Sequence, residues 1–208
     1  MATLIVQTES LDPAARTSLE DQGDRVAVSP LEDLSPEDRA AVQALVVRTY
    51  TVLDAAALEP LPSLRVVGRA GVALDNVDIP ACRARGVEVV HTPGANSAAV
   101  AEYVFAMLLD AKSDAVFSSA ARGLRVEAVA AAEFFVAHPA AQGLFDVHDP
   151  EPCGPTYPLL DIPNVHLAPH IAAATAMAKR AMSWVVRDVD RVLRGEVPEN
   201  PAPGSTPG

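Results

Sequence analysis

Positive charge, cysteine and long apolar runs are all scarce in this chain of 208 residues. Sixteen Lys and Arg face 27 Asp and Glu, a net charge of −11. Nucleic acid and anionic membrane are therefore poor partners. Small anions are not excluded, because they read local charge. No apolar run reaches the roughly 18 residues of a membrane span. The N-terminal "MATLIVQTES" has no basic segment and only a short apolar run, so it does not read as a signal peptide. The two cysteines, Cys82 and Cys153, fit neither a metal nor a redox spacing. Reduced thiols in a cytoplasmic protein are the expectation. His166 and His170 are four apart, but Pro169 keeps them off one helical face, and no metal site is expected. No internal repeat is visible.

One further absence bears directly on function. Glycines stand at 23, 68, 71, 86, 94, 123, 143, 154, 195, 204 and 208. No two are separated by a single residue, so the G-x-G-x-x-G turn of a dinucleotide fold is missing. The phosphate loop G-x-x-x-x-G-K-[ST] is missing as well.

What the chain does contain is alternation. "TLIVQ", "DRVAVS", "ALVVRTY", "LRVVGRAG" and "VEVVHTPG" read as strands separated by short helices. Asp12 with Pro13, and Ser35 with Pro36, mark two helix starts. Such alternation predicts a parallel sheet covered on both faces, flavodoxin-like in style. A long helix follows, "NSAAVAEYVFAMLLDA", with Val100, Val104, Met107 and Leu108 as its apolar stripe. Then comes an abrupt join: only Ala111, Lys112 and Ser113 separate this helix from the strand "DAVFSSAA". The helix "LRVEAVAAAEFFVAH" and the strands "AQGLFDVHD" and "NVHLAPH" come next. A long helix from Ala172 to Gly195 and a Pro/Gly-rich tail, expected to be disordered, complete the chain.

Three side chains end, or closely follow, consecutive strand candidates in the second half: Arg122, Glu151 and His170. Taken singly, each has an ordinary explanation: an exposed arginine at a helix start, a surface carboxylate, a capping or packing histidine. Together they make a chemical set. A carboxylate fixes a histidine's tautomer and raises its basicity. An arginine clamps a substrate carboxylate through two parallel hydrogen bonds. One cleft at the strand ends could hold all three.

The stretches "LRVVGRAGVALDNVDIPACRARGVEVVHTPGANSAAVAEYVFAMLL", "AARG", "FDVHDPEP" and "IPNVHLAPHIAAAT" resemble the D-isomer-specific 2-hydroxyacid dehydrogenases, most closely their phosphoglycerate dehydrogenase branch. The resemblance covers nearly everything from Val46 to Gly195. It implies an α/β protein: a flavodoxin-like substrate domain plus a truncated Rossmann-type remnant. Residues 1–97 with 172–196 would form the substrate domain, 98–111 the outgoing crossover helix, 112–171 the nucleotide-domain remnant and 197–208 the tail. By the same resemblance, most of the nucleotide domain is absent at the join. The stretch from Asp114 to His170 has room for about two β-α steps at roughly 30 residues each, and not for a six-stranded domain.

The implied activity is NAD-dependent oxidation of a small 2-hydroxy carboxylate, impaired by loss of the glycine turn. The alternatives are a non-catalytic binding or assembly module, or an inactive deletion remnant. Carried over by resemblance, Arg122 binds the substrate carboxylate and carbonyl, His170 takes the hydroxyl proton and Glu151 orients His170. Arg48, Thr49, Gly71, Val72 and Asn96 are the substrate-binding positions, with Arg48 facing a phosphate if there is one. Ala121 and Asp146 are the residual contacts to NAD. The truncated sheet should leave "DAVFSSAA" as an open edge and one face bare, which predicts a homodimer or larger assembly through residues 114–148.

Overall fold

The structure is a computed structural model, and it describes residues 3–21, 25–111, 116–120 and 127–204. By its contacts the chain divides into two compact units: residues 1–96 with 177–208, and residues 97–176.

The first unit is built on five parallel strands, β1 (Leu4–Gln7), β2 (Arg25–Val28), β3 (Val42–Val47), β4 (Val66–Arg69) and β5 (Glu88–His91). Their order is β2-β1-β3-β4-β5, the flavodoxin-like arrangement. The central strands are apolar on both faces because both faces are covered. Leu4, Val6, Leu45, Val47 and Val67 point to one side, with Leu53, Leu58, Leu61 and Cys82. Ile5, Ala44, Val46, Val66 and Val90 point to the other, with Leu11, Ala15, Leu19, Val185, Val186 and Val189. Short polar side chains start the intervening helices. Asp12 caps α1 (Pro13–Glu20), Ser35 caps α2 (Pro36–Ala41), Asp54 caps α3 (Ala55–Leu58) and Asp78 caps α4 (Ile79–Ala84), each accepting a first-turn N–H.

The second unit opens with α5 (Ser97–Asp110) and continues through β6 (Val116–Ser119), α6 (Ala128–Ala137), β7 (Gln142–Phe145) and β8 (Val165–Leu167). Among the described residues its sheet has three parallel strands in the order β6-β7-β8, with β6 at an edge. Phe135 of α6 packs edge-on against Phe145 at 5.9 Å between ring centroids. Gly143 leaves room for that ring: a Cβ there would meet the Phe135 Cζ at 2.8 Å. The opposite face is not bare, as the truncation suggested. Tyr103, Ala106, Met107 and Asp110 of α5 line a cleft of about 340 Å³ with Gln142, Leu144 and His166. Cover there is loose, and much of α5 stays in solvent, with Phe105 66% and Leu109 85% exposed. Leu108, assigned to the buried stripe, is itself 40% exposed.

Two further expectations need correction. The return helix is two helices, α7 (Ala176–Ser183) and α8 (Val186–Leu193). At the break Ser183 Oγ donates to the Lys179 carbonyl at 2.7 Å while accepting the Asp12 N–H at 2.9 Å. A serine bonded back one turn bends a helix. The tail is also not disordered from residue 197. Asp188, buried in α8, accepts the N–H groups of Glu199 and Asn200 at 2.7 and 3.0 Å. The Ala202 N–H reaches the Val89 carbonyl, and Ala202 itself is 1% exposed. Pro and Gly composition signalled disorder, but an internal carboxylate and the edge of β5 supply partners that composition does not show.

Burial, then the negative charge of Asp78, pushes the Cys82 thiol from 9.0 up to about 11 against the opposing pull of Arg83, Arg85 and a backbone hydrogen bond. The folded thiol holds its proton more tightly than the unfolded one. Its contribution to stability is therefore intact below about pH 9 and lost as the pH rises through about 11. Urea unfolding of the wild type and of Cys82→Ala over this range should show a steeper alkaline loss in the wild type. Parallel curves would remove Cys82 from the alkaline transition.

Candidate functional site

In the first unit the candidate residues lie in the loops that follow β3 and β4. The loop after β3, Arg48 to Thr51, curls so that four successive backbone N–H groups converge on one carboxylate, that of Glu9. Their distances are 3.1, 3.2, 3.1 and 3.2 Å, and the Thr51 hydroxyl adds a fifth donor at 3.2 Å. On the other side Asn76, in the loop after β4, donates its amide N–H groups to the Arg48 and Thr51 carbonyls at 2.7 Å each. The loop is thus fixed from both sides, donors on Glu9 and acceptors on Asn76.

This arrangement changes what the expected binding residues can offer. The N–H groups of Arg48 and Thr49 already have the Glu9 acceptor. The Arg48 guanidinium donates to the Ser10 carbonyl at 3.2 Å. The Gly71 N–H donates to the Arg69 carbonyl at 2.7 Å. The Arg69 guanidinium lies over the α-carbon of Gly71, with Cζ 2.7 Å from where a Cβ would be, so a larger residue there would displace that flexible side chain. The Val72 carbonyl accepts from His91 Nδ1 at 2.9 Å, while the Val72 N–H has no acceptor among the described residues. Asn96 is half-buried immediately before α5.

In the second unit the loops after β7 and β8 bring Glu151 and His170 together. His170 Nδ1 donates to Glu151 Oε2 at 2.8 Å, and both side chains are about one-third exposed, at 38% and 34%. A carboxylate on Nδ1 leaves Nε2 as the ring's acceptor nitrogen. His170 has φ +53°, a left-handed conformation unusual outside glycine. Asp146 holds it there. The Asp146 carbonyl accepts the His170 N–H at 2.8 Å. Its carboxylate accepts the next two, from Ile171 at 2.8 Å and Ala172 at 2.9 Å.

Tyr103, on α5, is hydrogen-bonded to the same carboxylate; burial first, then the Asp146 charge and this bond, push its phenol above the ordinary value. Asp146 is 2% exposed. The carboxylate that the resemblance assigned to NAD is engaged inside the unit, holding the turn that carries His170. Arg122 and Ala121 lie outside the described residues.

Sequence reading missed Glu9, Asn76, Tyr103 and His148. Asn76 stood inside the quoted "GVALDN" and could have been weighed there. Glu9 gave no signal, because its partners are about 40 positions away.

Replacing Asp146 by Asn sets an amide N–H₂ against backbone donors and removes a buried charge that accepts from them. A loss on the order of 2–3 kcal/mol is expected. Denaturant unfolding of Asp146→Asn should show it as a lower midpoint at unchanged slope. An unaltered midpoint would mean that the turn holds itself.

The family model described as "D-isomer specific 2-hydroxyacid dehydrogenase, catalytic domain" matches residues 5–203. Among curated relatives, D-3-phosphoglycerate dehydrogenase of Mycobacterium tuberculosis (strain ATCC 25618 / H37Rv) is 39% identical over 109 residues. That match covers 52% of this chain and 21% of the relative, so the matched part spans about a fifth of that protein's length. The Mycobacterium leprae enzyme of the same name is 52% identical over 68 residues, covering 33% of this chain and 13% of the relative.

Two solved structures share the fold. A protein from Thermus thermophilus superposes with a TM-score of 0.83 at 20% identity, covering 96% of this chain and 100% of that one. NAD+-bound 3-phosphoglycerate dehydrogenase from Entamoeba histolytica superposes with 0.76 at 15%, covering 95% and 97%. The family model spans residues 5–203, nearly the whole of this parallel α/β protein: this chain belongs to the D-isomer-specific 2-hydroxyacid dehydrogenase family.

Proposed function

We propose that this chain keeps the proton-transfer half of a D-2-hydroxyacid dehydrogenase. It would act on a small 2-hydroxy or 2-keto carboxylate while holding the nicotinamide dinucleotide weakly or not at all. The observation that carries the reading is the 2.8 Å bond between His170 Nδ1 and Glu151, on a turn fixed by Asp146. A histidine so oriented can take a hydroxyl proton at Nε2, or return it to a carbonyl oxygen. Glu151 holds the ring through Nδ1. Arg122 is the proposed carboxylate clamp. Relatives of this fold have been crystallised with NADP and malonate or with citrate, which agrees with a small carboxylate as ligand.

The dinucleotide is a different matter. Its pyrophosphate sits on a glycine turn between a strand and a helix. No such glycine pair exists anywhere in the sequence. Of the second unit's described glycines, Gly143 lies under the Phe135 ring and Gly154 is in a loop. The residues present do not fit the cofactor, so oxidation by this chain alone is expected to be impaired. The same mismatch favours the second reading, a carboxylate-binding or assembly module without turnover, or a remnant of an internal deletion.

Calorimetric titration separates these readings. NAD and NADH should bind more weakly than millimolar. A 2-keto carboxylate should bind measurably, and His170→Ala should weaken it. Saturable micromolar NAD binding would overturn the cofactor reading. No binding of any carboxylate would favour the remnant.

Arg48 is the proposed phosphate contact. Arg48→Ala should weaken 3-phosphoglycerate more than unphosphorylated glycerate; equal losses would remove it from that role.

We also propose self-association through residues 114–148, around the open edge of β6, where Phe117 is 46% exposed. Phe117→Lys should then raise the monomer fraction in sedimentation. A wild-type monomer at high micromolar concentration would dismiss this contact.

A further inference from the structure

Behind the Glu151–His170 pair lies a second histidine, His148, that the proton chemistry does not use. It is 7% exposed. Its backbone N–H donates to Glu151 Oε1 at 2.8 Å, the oxygen that His170 leaves free. Its ring Nε2 lies 2.8 Å from the Ala168 carbonyl. A carbonyl only accepts, so Nε2 carries the hydrogen. That carbonyl also receives the His170 N–H at 3.1 Å. One residue therefore grips the carboxylate of the pair with its backbone and the strand end that presents the histidine with its side chain.

The remaining nitrogen, Nδ1, is buried and has no hydrogen-bond partner among the described residues. Unpaired buried polar atoms are uncommon and call for a reason. Here the reason is the other nitrogen: only a ring puts a donor at the far end of so short a rigid side chain. Tyr157 packs edge-on against this ring, with centroids 5.4 Å apart, and limits its rotation. Burial, with the nearby charges of Cys153, Asp149 and Glu151, pushes the Tyr157 phenol above its ordinary value, so that wall stays uncharged.

We propose that His148, in its Nε2–H tautomer, is the positioning residue of the Glu151–His170 pair, tying the loop after β7 to the end of β8 so that the carboxylate meets Nδ1. The proposal rests on the proton-transfer reading of that pair.

The test uses the full chain, ¹⁵N-labelled, and needs no turnover. Long-range ¹H–¹⁵N spectra report each imidazole tautomer, and the hydrogen-bonded Nδ1–H of His170 reports the pair directly. The wild type should show His148 as Nε2–H and a deshielded His170 Nδ1–H signal. Glu151→Gln should lose that signal, which checks the pair itself. His148→Phe fills the same space without a donor and should lose it too. His148→Gln, whose amide can still donate to Ala168, should keep it.

A signal that persists in His148→Phe, or a wild-type His148 in the Nδ1–H form, overturns the proposal while leaving the pair standing. A signal absent from the wild type, or unchanged in Glu151→Gln, overturns the pair and the proposal with it. Should His148→Phe not fold, His148→Asn, too short to reach Ala168, carries the same expected loss.

Discussion

The second unit depends on one buried carboxylate. Asp146 takes two consecutive backbone N–H groups on its side chain and a third on its carbonyl, and the phenol of Tyr103 completes its shell. Without those acceptors the Ile171 and Ala172 N–H groups would lose their partners, and the backbone of His170 at φ +53° would keep only the Ala168 carbonyl at 3.1 Å. Such a conformation costs on the order of 1–3 kcal/mol and persists only where the surroundings over-determine it. The placement of His170 next to Glu151 is therefore a consequence of Asp146.

The first unit solves a similar problem with the same device. The loop after β3 exposes four amides and two carbonyls at the end of a central strand, where parallel-sheet proteins bind their ligands. Glu9 and Asn76 satisfy them from within. In both units a side chain on a neighbouring loop orders the backbone that a ligand would approach. Such ordering reduces what a ligand must organise on binding. It also commits donors that the sequence alone would assign to the ligand, at Thr49 and Gly71.

Family membership does not by itself establish turnover. The profile of a D-2-hydroxyacid dehydrogenase persists over residues 5–203. Among the described residues the second sheet nevertheless has three strands, and the glycine turn of the dinucleotide is missing from the whole sequence. A fold does not specify an activity; the site does. Among the described residues, the second unit holds the hydrogen-bonded Glu151–His170 pair.

The strand–helix alternation, the helix starts at Asp12 and Ser35 and the family's motifs were legible in the chain itself. Those signals are local: the period of apolar residues, a capping side chain, a motif of a few positions. Tertiary structure decided the rest. It placed Glu9 on a loop about 40 residues away, turned Asp146 inward to hold the His170 turn, set His148 behind the pair, broke the last helix at Ser183 and docked the tail on β5. Each of these is a polar side chain satisfying backbone groups far along the chain. The sequence shows that such a group needs a partner; only the register of the sheets and the path of the loops bring a particular partner within about 3 Å.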